Sequence, residues 1–549
     1  MLFENFSAYI NDGIRNYWNI QALADYQGES YSYSQVAEHI VKLHLFFKEN
    51  KIQKGDKIAL VGRNSARWCI VYLATVTYGA IIVPILPDFT TKDIQNIINH
   101  SDAVLLFSSG TIFENLDPSE MKNLKGILSA NTFELLHDPG NELQKKLDKS
   151  EEGLQKKKAP GFAPDNFQPP EIPNSDLAVI SYTSGTTGYS KGVMLTHNSL
   201  AANIRFAQKS MPLSAGDPIV SFLPLAHAYG CAFEFLFPFT IGCTVTILTK
   251  TPSPQIIMQA FQEIRPALIL SVPLVIEKIF KKQIIPVISK PVMKVVLAIP
   301  GINQIIYKKI RKKLVGVFGG NFSEIVIGGA PFNPEAESFF RKIKFPFTVG
   351  YGMTECGPLI SYAASGINRF GSSGKSVDTL EVAIDSEDPQ NIAGEIILRG
   401  ENVMTGYYKN EEATKKIIDD QGWLHTGDLG LIDRDGFIYI KGRSKSMLLG
   451  PSGQNIYPEE LESALNNKFC ITESLVVQRN GKITALIYPE KEILEKNHIT
   501  AEKLQEIMAG HIKEVNHTFP KYMNIVKFEI VDEEFAKTPK RSIKRFLYE

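Results

Sequence analysis

The chain has 549 residues, with 59 Lys and Arg against 59 Asp and Glu, and 44% of its residues are apolar. This neutral balance argues against binding nucleic acid through bulk charge and against an acidic disordered chain, and the apolar content is enough to build a large core. The five cysteines include no C-x-x-C pair, which argues against a disulfide framework or a structural zinc site and favours the cytoplasm.

Apolar strands alternate with helical patterns along most of the chain before Lys445, which predicts layered α/β structure with parallel strands. Examples are a strand at 56–62, a helix at 65–79 and a strand at 81–86. Residues 150–175 are rich in Pro, Gly and charge, so we expect a surface connection there. The apolar run 235–248 is shorter than the roughly 20 residues that span a bilayer and predicts a buried helix, turn and strand.

The chain after Lys445 has a different pattern. NIYPEELESAL predicts a capped helix, LVVQ and ITALIYP predict paired strands, and VKFEIV predicts a closing strand. We therefore expect a large N-terminal domain of residues 1–445 with layered sheets and helices, and a small α+β C-terminal domain of residues 446–549.

A glycine- and hydroxyl-rich string, YTSGTTGYSKG, occupies residues 182–192 after a predicted strand. Glycines let backbone N–H groups approach phosphate oxygens, hydroxyls add donors, and a lysine adds a point charge. The spacing differs from that of P-loop nucleotidases, and so many specific positions disfavour a plain surface loop. The residues predicted to bind phosphate are Thr183, Ser184, Gly185, Thr186, Thr187, Gly188 and Lys191.

This string resembles the phosphate loop of the adenylate-forming (AMP-binding) superfamily, which includes acyl-CoA synthetases, luciferases and peptide-synthetase adenylation domains. Further motifs that resemble the family follow in its order: LPLAHAYG (223–230), IGGAP (327–331), GYGMTECGP (350–358), GEIILRGENVMTGYY (394–408), GWLHTGDLG (422–430) and KGRSKSMLLGPSGQNIYPEELE (441–462). The chain is identified as a member of that superfamily, and it most resembles long-chain fatty acid:CoA ligases.

The resemblance implies roles for the nucleotide-binding residues. Thr354 would contact the α-phosphate and Glu355 would hold Mg²⁺, and both are candidate catalytic residues. Tyr351 would stack on adenine, opposite a backbone wall of Gly329, Ala330 and Pro331. Asp428 would accept the ribose hydroxyls, Arg443 would fix ribose and phosphate, and Lys445 would be the hinge for the C-terminal domain.

The tail departs from the family pattern, because Ser542 stands where relatives carry the adenylation lysine. If the segment is extended, Lys540 and Lys544 lie on the same side as Ser542 at a spacing of about 7 Å. We expect one of these two lysines to supply the missing positive charge. The alternative is an ordinary basic tail.

Several positions bear on the acid that is activated. Relatives that use acetate have Trp where this chain has Gly352, and the IGGAPFNPE run is typical of long-chain enzymes, which favours a medium- or long-chain fatty acid. His227 and Tyr229 resemble residues at the acyl carboxylate, and Gly328 and Gly352 complete the predicted substrate residues. The phenylalanines at 233, 235, 237 and 239 would wall an apolar tunnel or, alternatively, form plain core.

The predicted function is ATP- and Mg²⁺-dependent activation of this acid to acyl-AMP and its transfer to CoA. The alternatives are an acyl-AMP ligase that loads a phosphopantetheinyl carrier protein and a non-catalytic nucleotide-binding relative, the latter favoured only by Ser542. Residues 278–323 contain ten Lys and Arg and no acid, which predicts peripheral contact with an anionic membrane at its inner, cytoplasmic face. A solvated basic face is the alternative.

Overall fold

The computed structural model describes residues 1–159, 161–183, 190–250, 253–449, 454–538 and 543–548, apart from the side chains of Lys282, Gln283 and Lys294. Its helices, α1 to α19 in chain order, span Phe6–Asn16, Tyr33–Glu49, Ala66–Tyr78, Thr91–His100, Gly110–Phe113, Leu143–Lys158, His197–Ser210, Ala228–Gly230, Phe237–Thr240, Pro254–Ile264, Pro273–Ile279, Ile285–Ile288, Pro291–Ala298, Ile302–Val317, Pro334–Lys342, Glu411–Lys415, Pro458–Asn466, Lys491–Lys496 and Ala501–Thr518. Two π-helical segments, Cys231–Leu236 and Phe280–Ile284, join α8 to α9 and α11 to α12.

The strands, β1 to β27 in chain order, span Gln21–Asp25, Ser30–Ser32, Lys57–Val61, Ile81–Ile85, Ala103–Ser108, Ile127–Ser129, Leu135–His137, Leu177–Thr183, Lys191–Thr196, Pro218–Ser221, Thr244–Ile247, Leu268–Ser271, Glu324–Ile327, Phe347–Val349, Tyr351–Gly352, Leu359–Tyr362, Lys375–Ser376, Leu380–Asp385, Gly394–Gly400, Gly406–Tyr407, Leu424–Ile432, Ile438–Arg443, Leu448–Leu449, Asn455–Ile456, Ile471–Arg479, Lys482–Pro489 and Lys527–Ile530.

The largest sheet has eight strands in the order β20-β9-β8-β4-β3-β5-β6-β7. Its inner strands β3, β4 and β5 are parallel and almost wholly buried, which explains their continuous apolar sequences. A second sheet, β10-β11-β1-β2, and a parallel three-stranded sheet, β12-β13-β14, pack into the same core. The predicted layered α/β class is confirmed.

Local signals explain where the long helices begin and end. Ser32 and Gln35 form a reciprocal capping box at the start of α2, and the Ser65 side chain caps α3, which stops at the left-handed Gly79. The expected surface connection at 150–175 is wrong in its first part, because α6 continues to Lys158 and packs on α2. Three consecutive lysines there lie in the last turn of α6, where they oppose the negative end of the helix dipole.

The C-terminal part of the chain forms its own small α+β unit. Strands β25 and β26 are antiparallel, β27 joins β26 in parallel, and α17 and α19 cover them. Its two apolar clusters do not merge with the large core in the described part of the chain. The predicted helix and strands are therefore present, and the boundary at Lys445 stays a prediction. Within the described ranges, no helix is long and apolar enough to cross a membrane.

Candidate active site

Two glycine-containing segments meet at the carboxyl edge of the parallel sheet β12-β13-β14. Residues 328–331 follow β13, and Gly350 and Tyr351 follow the adjacent strand β14. Gly329 has φ of +88°, which an L side chain adopts with strain, so the backbone turns sharply outward there. Ala330 and Pro331 are exposed beside this turn. In open α/β sheets this edge is where ligands bind, so the predicted adenine wall lies in a suitable place.

Asp428 lies at the centre of the predicted ribose site. Strand pairing places it directly opposite Arg443, whose Nε lies 3.0 Å from Asp428 Oδ1, and the Tyr351 hydroxyl donates to Asp428 Oδ2 at 2.6 Å. Burial raises the pKa of Asp428, and Arg443 opposes that rise. Because a carboxylate has about four lone-pair sites, two remain for ribose hydroxyls. Three residues from separate motifs are thus brought together around one buried carboxylate.

The two ends of the phosphate string lie on adjacent antiparallel strands. Thr183 ends β8 and Lys191 begins β9, and the two residues are paired in register. The predicted residues Ser184, Gly185, Thr186, Thr187 and Gly188 lie outside the described residues. The hairpin register therefore explains how Thr183 and Lys191 can act on the same ligand.

Lys191 and Glu355 meet through a tyrosine that the motif analysis did not single out. Tyr407, on β20, pairs with β9 and donates its hydroxyl to Glu355 Oε1 at 2.9 Å. The Lys191 ammonium lies 4.8 Å from the centre of the Tyr407 ring. Tyr407 thus contacts both charged residues, the cation through its ring and the carboxylate through its hydroxyl. In the sequence, the GYY string at 406–408 was the available signal for a role of Tyr407. The contact of Tyr407 with Glu355, however, joins residues 52 positions apart.

The loop that carries Thr354 and Glu355 is clamped from both sides. Asn203, on α7, donates to the carbonyl of Cys356 at 3.1 Å and accepts from the N–H of Leu359 at 2.9 Å. The Glu355 carbonyl accepts the N–H of Met404 at 2.8 Å. Thr354 and Glu355 are half-buried in this short 3₁₀ turn.

Gly352 is required by close backbone packing, in addition to its predicted effect on the acyl pocket. A Cβ at this position would lie 2.3 Å from the carbonyl oxygen of Pro358. Any side chain here would therefore force the loop that carries Thr354 and Glu355 to move.

The predicted substrate residues lie next to one another. The Tyr229 hydroxyl donates to the carbonyl of Val326 at 3.0 Å, and a Cβ on Gly328 would lie 3.2 Å from Tyr229 Cζ. Burial raises the pKa of Tyr229. His227 is half-buried at the start of α8, two residues before Tyr229.

Of the four phenylalanines at 233, 235, 237 and 239, Phe235 and Phe239 form core rather than a tunnel wall. All four are at most 1% exposed, and the Phe235 and Phe239 rings lie 5.9 and 4.8 Å from those of Tyr72 and Tyr33. The tunnel interpretation is therefore wrong for Phe235 and Phe239. Phe233 alone contacts a predicted substrate residue, with its ring 6.2 Å from that of Tyr229.

A buried acid in the same helix was not anticipated. Glu234 Oε2 accepts hydrogen bonds from the hydroxyl of Ser221 and from the N–H groups of Phe222 and Leu223, at 2.9 to 3.0 Å. Burial raises its pKa well above the usual range. Glu234 thus ties the π-helical segment to the strand end that leads into LPLAHAYG. In the sequence, the signal for this buried role was a single acidic residue within an apolar run.

The role expected of Lys540 or Lys544 in adenylation stays a prediction. Lys540 lies outside the described residues, and Lys544 is half-buried in the C-terminal unit with its N–H bonded to the carbonyl of Ala536. Lys537 and Ile543 form an antiparallel bridge. Lys540 and Ser542 lie outside the described residues, so the expected shared face of Lys540 and Lys544 stays a prediction. Lys445 is exposed in a 3₁₀ turn immediately after β22.

The residues present fit a magnesium ion that arrives with a nucleotide. No group of three potential metal-binding side chains occurs in the described ranges, which argues against an all-protein cage there. Magnesium that is held by phosphates needs only one or two carboxylates, and the half-buried Glu355, fixed by Tyr407, meets that need.

Comparisons with known proteins agree with this arrangement. A family model described as AMP-binding enzyme matches residues 12–408, and a model of the AMP-binding enzyme C-terminal domain matches residues 446–549. Long-chain-fatty-acid–CoA ligase FadD15 of Mycobacterium bovis is 28% identical and covers 90% of this chain and 86% of its own. A chloroplastic long-chain-fatty-acid acyl-carrier-protein ligase of Arabidopsis thaliana, AEE15, is 27% identical over 87% of this chain and 74% of its own.

Solved structures show the same fold. Anthranilate CoA ligase AuaEII in complex with anthranoyl-AMP has a TM-score of 0.78 at 19% identity, covering 100% of this chain and 97% of that one. ATP-bound MatB from Rhodopseudomonas palustris has a TM-score of 0.75 at 21% identity, covering 99% and 98%. The family matches account for both parts of the molecule, and the chain therefore belongs to the AMP-binding enzyme family as an AMP-forming ligase.

Proposed function

We propose that this ligase activates a medium- or long-chain fatty acid with ATP and transfers the acyl group to CoA, giving acyl-CoA, AMP and pyrophosphate. The observation that supports it best is the buried Asp428, which is bonded to Arg443 and to Tyr351, three residues before the half-buried Thr354 and Glu355. The names of the relatives support a fatty acid as the substrate and CoA as the acceptor.

In the first half-reaction, a carboxylate oxygen of the acid attacks the α-phosphorus of ATP, and the bond to the β-phosphate breaks to release pyrophosphate. Asp428 and Tyr351 would hold ribose and adenine, which fixes the α-phosphate near the Thr354 hydroxyl. Lys191 and a tail lysine, Lys540 or Lys544, would stabilise the developing negative charge. Magnesium, held by Glu355, would neutralise charge on the phosphates.

In the second half-reaction, the CoA thiol loses its proton to water, the sulfur forms a bond to the acyl carbonyl carbon, and the bond from that carbon to the AMP oxygen breaks, so that AMP leaves with the bonding electrons. His227 and Tyr229 would lie at the acyl carboxylate in both steps. We assign the hinge between a domain of residues 1–445 and one of residues 446–549 to the exposed Lys445. Rotation about this hinge would move the tail away from the reacting atoms and let the acceptor thiol approach them. Closure of the C-terminal domain over the site would also protect the reactive adenylate from water.

The acceptor divides this proposal from a second candidate. The Arabidopsis relative, named as a ligase that uses acyl carrier protein, is almost as similar as the mycobacterial CoA ligase. A carrier protein is therefore the alternative acceptor, because it presents the same phosphopantetheine thiol.

The test is turnover of the purified chain with ATP, Mg²⁺ and fatty acids of graded length, measuring AMP and acyl thioester with CoA or with holo carrier protein. We expect acyl-CoA with a preference for medium or long chains. AMP formed only with carrier protein would favour the second candidate, and no AMP with any fatty acid would contradict the proposal.

A variant tests the nucleotide half separately. We expect Asp428→Ala to raise the KM for ATP about 10- to 100-fold, since a hydrogen bond to a charged group is worth about 1.5–3 kcal/mol. Asp420→Ala, at an exposed position on the same domain, is the control. An unchanged KM in Asp428→Ala would remove the ribose assignment.

We also propose that the enzyme works in the cytoplasm, peripherally to the inner face of the membrane. All five cysteines are buried and unpaired, as in a reducing compartment, and ATP and CoA are available there. A fatty acid of the proposed length partitions into bilayers, so contact with the membrane would bring the enzyme to its substrate.

A further inference from the structure

A short helical segment, residues 287–305, exposes an unusual amount of apolar surface. Eighteen large apolar side chains are exposed in the described ranges, and six of them lie within residues 287–305. Val292 and Val295 are 75% and 65% exposed, more than most residues of that kind in a folded domain. The six are Val287, Val292, Val295, Ile299, Ile302 and Ile305.

These side chains are arranged by the helical repeat. Val292, Val295 and Ile299 follow the i, i+3, i+7 spacing of one face of α13 and its end. Ile302 and Ile305 follow the same rule on α14, which packs on α13. Both exposed faces are therefore continuous stripes rather than scattered residues.

Helix α14 is anchored to the body by its opposite face. Leu314 is buried, and the Tyr307 ring lies 6.3 Å from that of Phe339 on α15. Gln262, on α10, donates to the carbonyl of Val317 at 3.0 Å. The outward stripe is thus held on a fixed element and is not left over from an unpacked core.

Exposed basic side chains accompany the apolar stripes, mostly on the later part of α14. Six of them lie within residues 290–313, and residues 278–323 contain no Asp or Glu. None of the six has an ion pair in the described part of the chain. They are Lys290, Lys308, Lys309, Arg311, Lys312 and Lys313. We call the six aliphatic and six basic side chains together the α13–α14 surface.

The chemistry of this surface selects its partner. A second copy would bring two cationic faces together without acids to neutralise them. Protein interfaces are enriched in aromatics and Arg and depleted in Lys, whereas this surface has five lysines, one arginine and no aromatic. Aliphatic side chains that enter the headgroup region, flanked by lysines that meet anionic headgroups, fit a bilayer surface.

We propose that the α13–α14 surface docks on an anionic phospholipid bilayer, with Val292, Val295 and Ile299 entering the headgroup region and the lysines of α14 contacting the headgroups. Lys281, in the same basic stretch, is excluded from this role because it contacts the C-terminal unit at the carbonyls of Asn466 and Ile471. This inference rests on the proposed function in one respect: the purpose of the docking would be to collect a fatty acid from the membrane.

The test is co-sedimentation of the full chain with phosphatidylcholine vesicles, with and without phosphatidylglycerol, in the absence of ATP, acid and CoA. We expect binding that needs phosphatidylglycerol and weakens at high salt. The triple change Lys308→Gln, Lys309→Gln and Lys312→Gln should weaken it about 100-fold, from about fivefold for each charge. The matched control, Lys482→Gln, Lys513→Gln and Lys521→Gln, removes three exposed lysines of the C-terminal unit and should have a much smaller effect.

The apolar half of the proposal has its own variants. Val295→Asn and Ile299→Asn together should weaken binding about tenfold or more, because binding strength scales with the buried apolar area, while Ile367→Asn and Ile392→Asn, also exposed, should not. The absence of binding to phosphatidylglycerol vesicles at low salt, equal losses in the control triple, or a salt-stable dimer disrupted by the α13–α14 variants would overturn the proposal. Binding is measured without turnover, so a failed ligase assay leaves this result independent.

Discussion

The nucleotide-binding part and the C-terminal unit are held by different kinds of contact. In the former, Asp428 has both oxygens bonded and the 354–356 turn is clamped by Asn203. The described contacts between the two parts include Lys281 at carbonyls of α17 and of the strand that follows, the Lys441–Glu460 ion pair at 3.7 Å, and Asn333 Nδ2 3.5 Å from the carbonyl of Ser463. The comparison teaches that the Asp428 carboxylate and the 354–356 turn are fixed within one part, whereas the C-terminal unit is attached through polar contacts that water can replace.

The largest effect is expected where the preformed site meets the metal. Glu355→Gln should lower kcat for pyrophosphate exchange about 100- to 1,000-fold, because it removes the only charge of this turn, and preorganised charge of this kind is worth that much. The control is Glu412→Gln, an exposed acid on α16. Activity within a few fold of wild type in Glu355→Gln would show that the metal is held elsewhere.

The tail of the C-terminal unit should matter nearly as much for adenylation. We expect the double variant Lys540→Ala and Lys544→Ala to lose about 100-fold in pyrophosphate exchange, since these are the two lysines nearest to Ser542, where the family's lysine is missing. Adding Ser542→Lys to the double variant should restore most of the rate. Full exchange in the double variant, with Lys521→Ala as control, would contradict the role of the tail.

A half-buried histidine, His44, should make the stability of the larger part depend on pH. Burial lowers the pKa of His44 to about 4 from an unfolded value of 6.5, and its Nε2 lies 2.9 Å from the carbonyl of Ala74. The unfolded chain therefore binds a proton that the folded chain rejects, so stability is lost as pH falls from 6.5 towards 4. Between pH 7.5 and 5.0 the loss is about 2 kcal/mol.

The measurement is the free energy of unfolding in urea at the two pH values for wild type and His44→Gln. The variant should lack this loss of about 2 kcal/mol, and His517→Gln, at an exposed position on α19, should retain it. An equal pH dependence in wild type and His44→Gln would contradict the assignment.

The smallest effect is expected at the contact between the two parts. Lys281→Met removes a cation from the carboxyl end of α17, where a hydrogen bond is worth about 1 kcal/mol. Single-turnover rates of acyl-AMP formation and acyl transfer should change relative to one another by about fivefold. Lys278→Met, at an exposed position one turn earlier, is the control, and identical rate ratios in both variants would indicate that this contact plays no part in the exchange of orientations.

Much of this architecture could be read from contiguous patterns. The apolar run of β3, the capped helix α3 and the hairpin that carries Thr183 and Lys191 are each encoded within a few neighbouring residues. The resemblance of the motifs to those of the family was enough to predict that Tyr351, Asp428 and Arg443 belong to one site, and the structure shows the three in contact.

Other features depended on contacts between distant parts of the chain. Asn203 binds a loop 153 residues away, and Tyr407 reaches Glu355 across 52 residues, so neither role leaves a local signal. The sequence also did not decide whether Phe235 and Phe239 line a tunnel or form core. Their contacts with Tyr72 and Tyr33, which lie far away in the chain, place them in the core.

The sequence by itself determined the family, the α/β class, the nucleotide motifs and the basic character of residues 278–323, because composition and short motifs are properties of neighbouring letters. The tertiary structure decided which side chains meet and which stay in water. Tertiary packing brought Tyr351 and Arg443 to Asp428, and burial raised the pKa of Glu234. The packing of the helices also left Val292 and Val295 exposed on α13. Burial depends on the packing of distant elements, so the alternation of residues in one segment does not determine it.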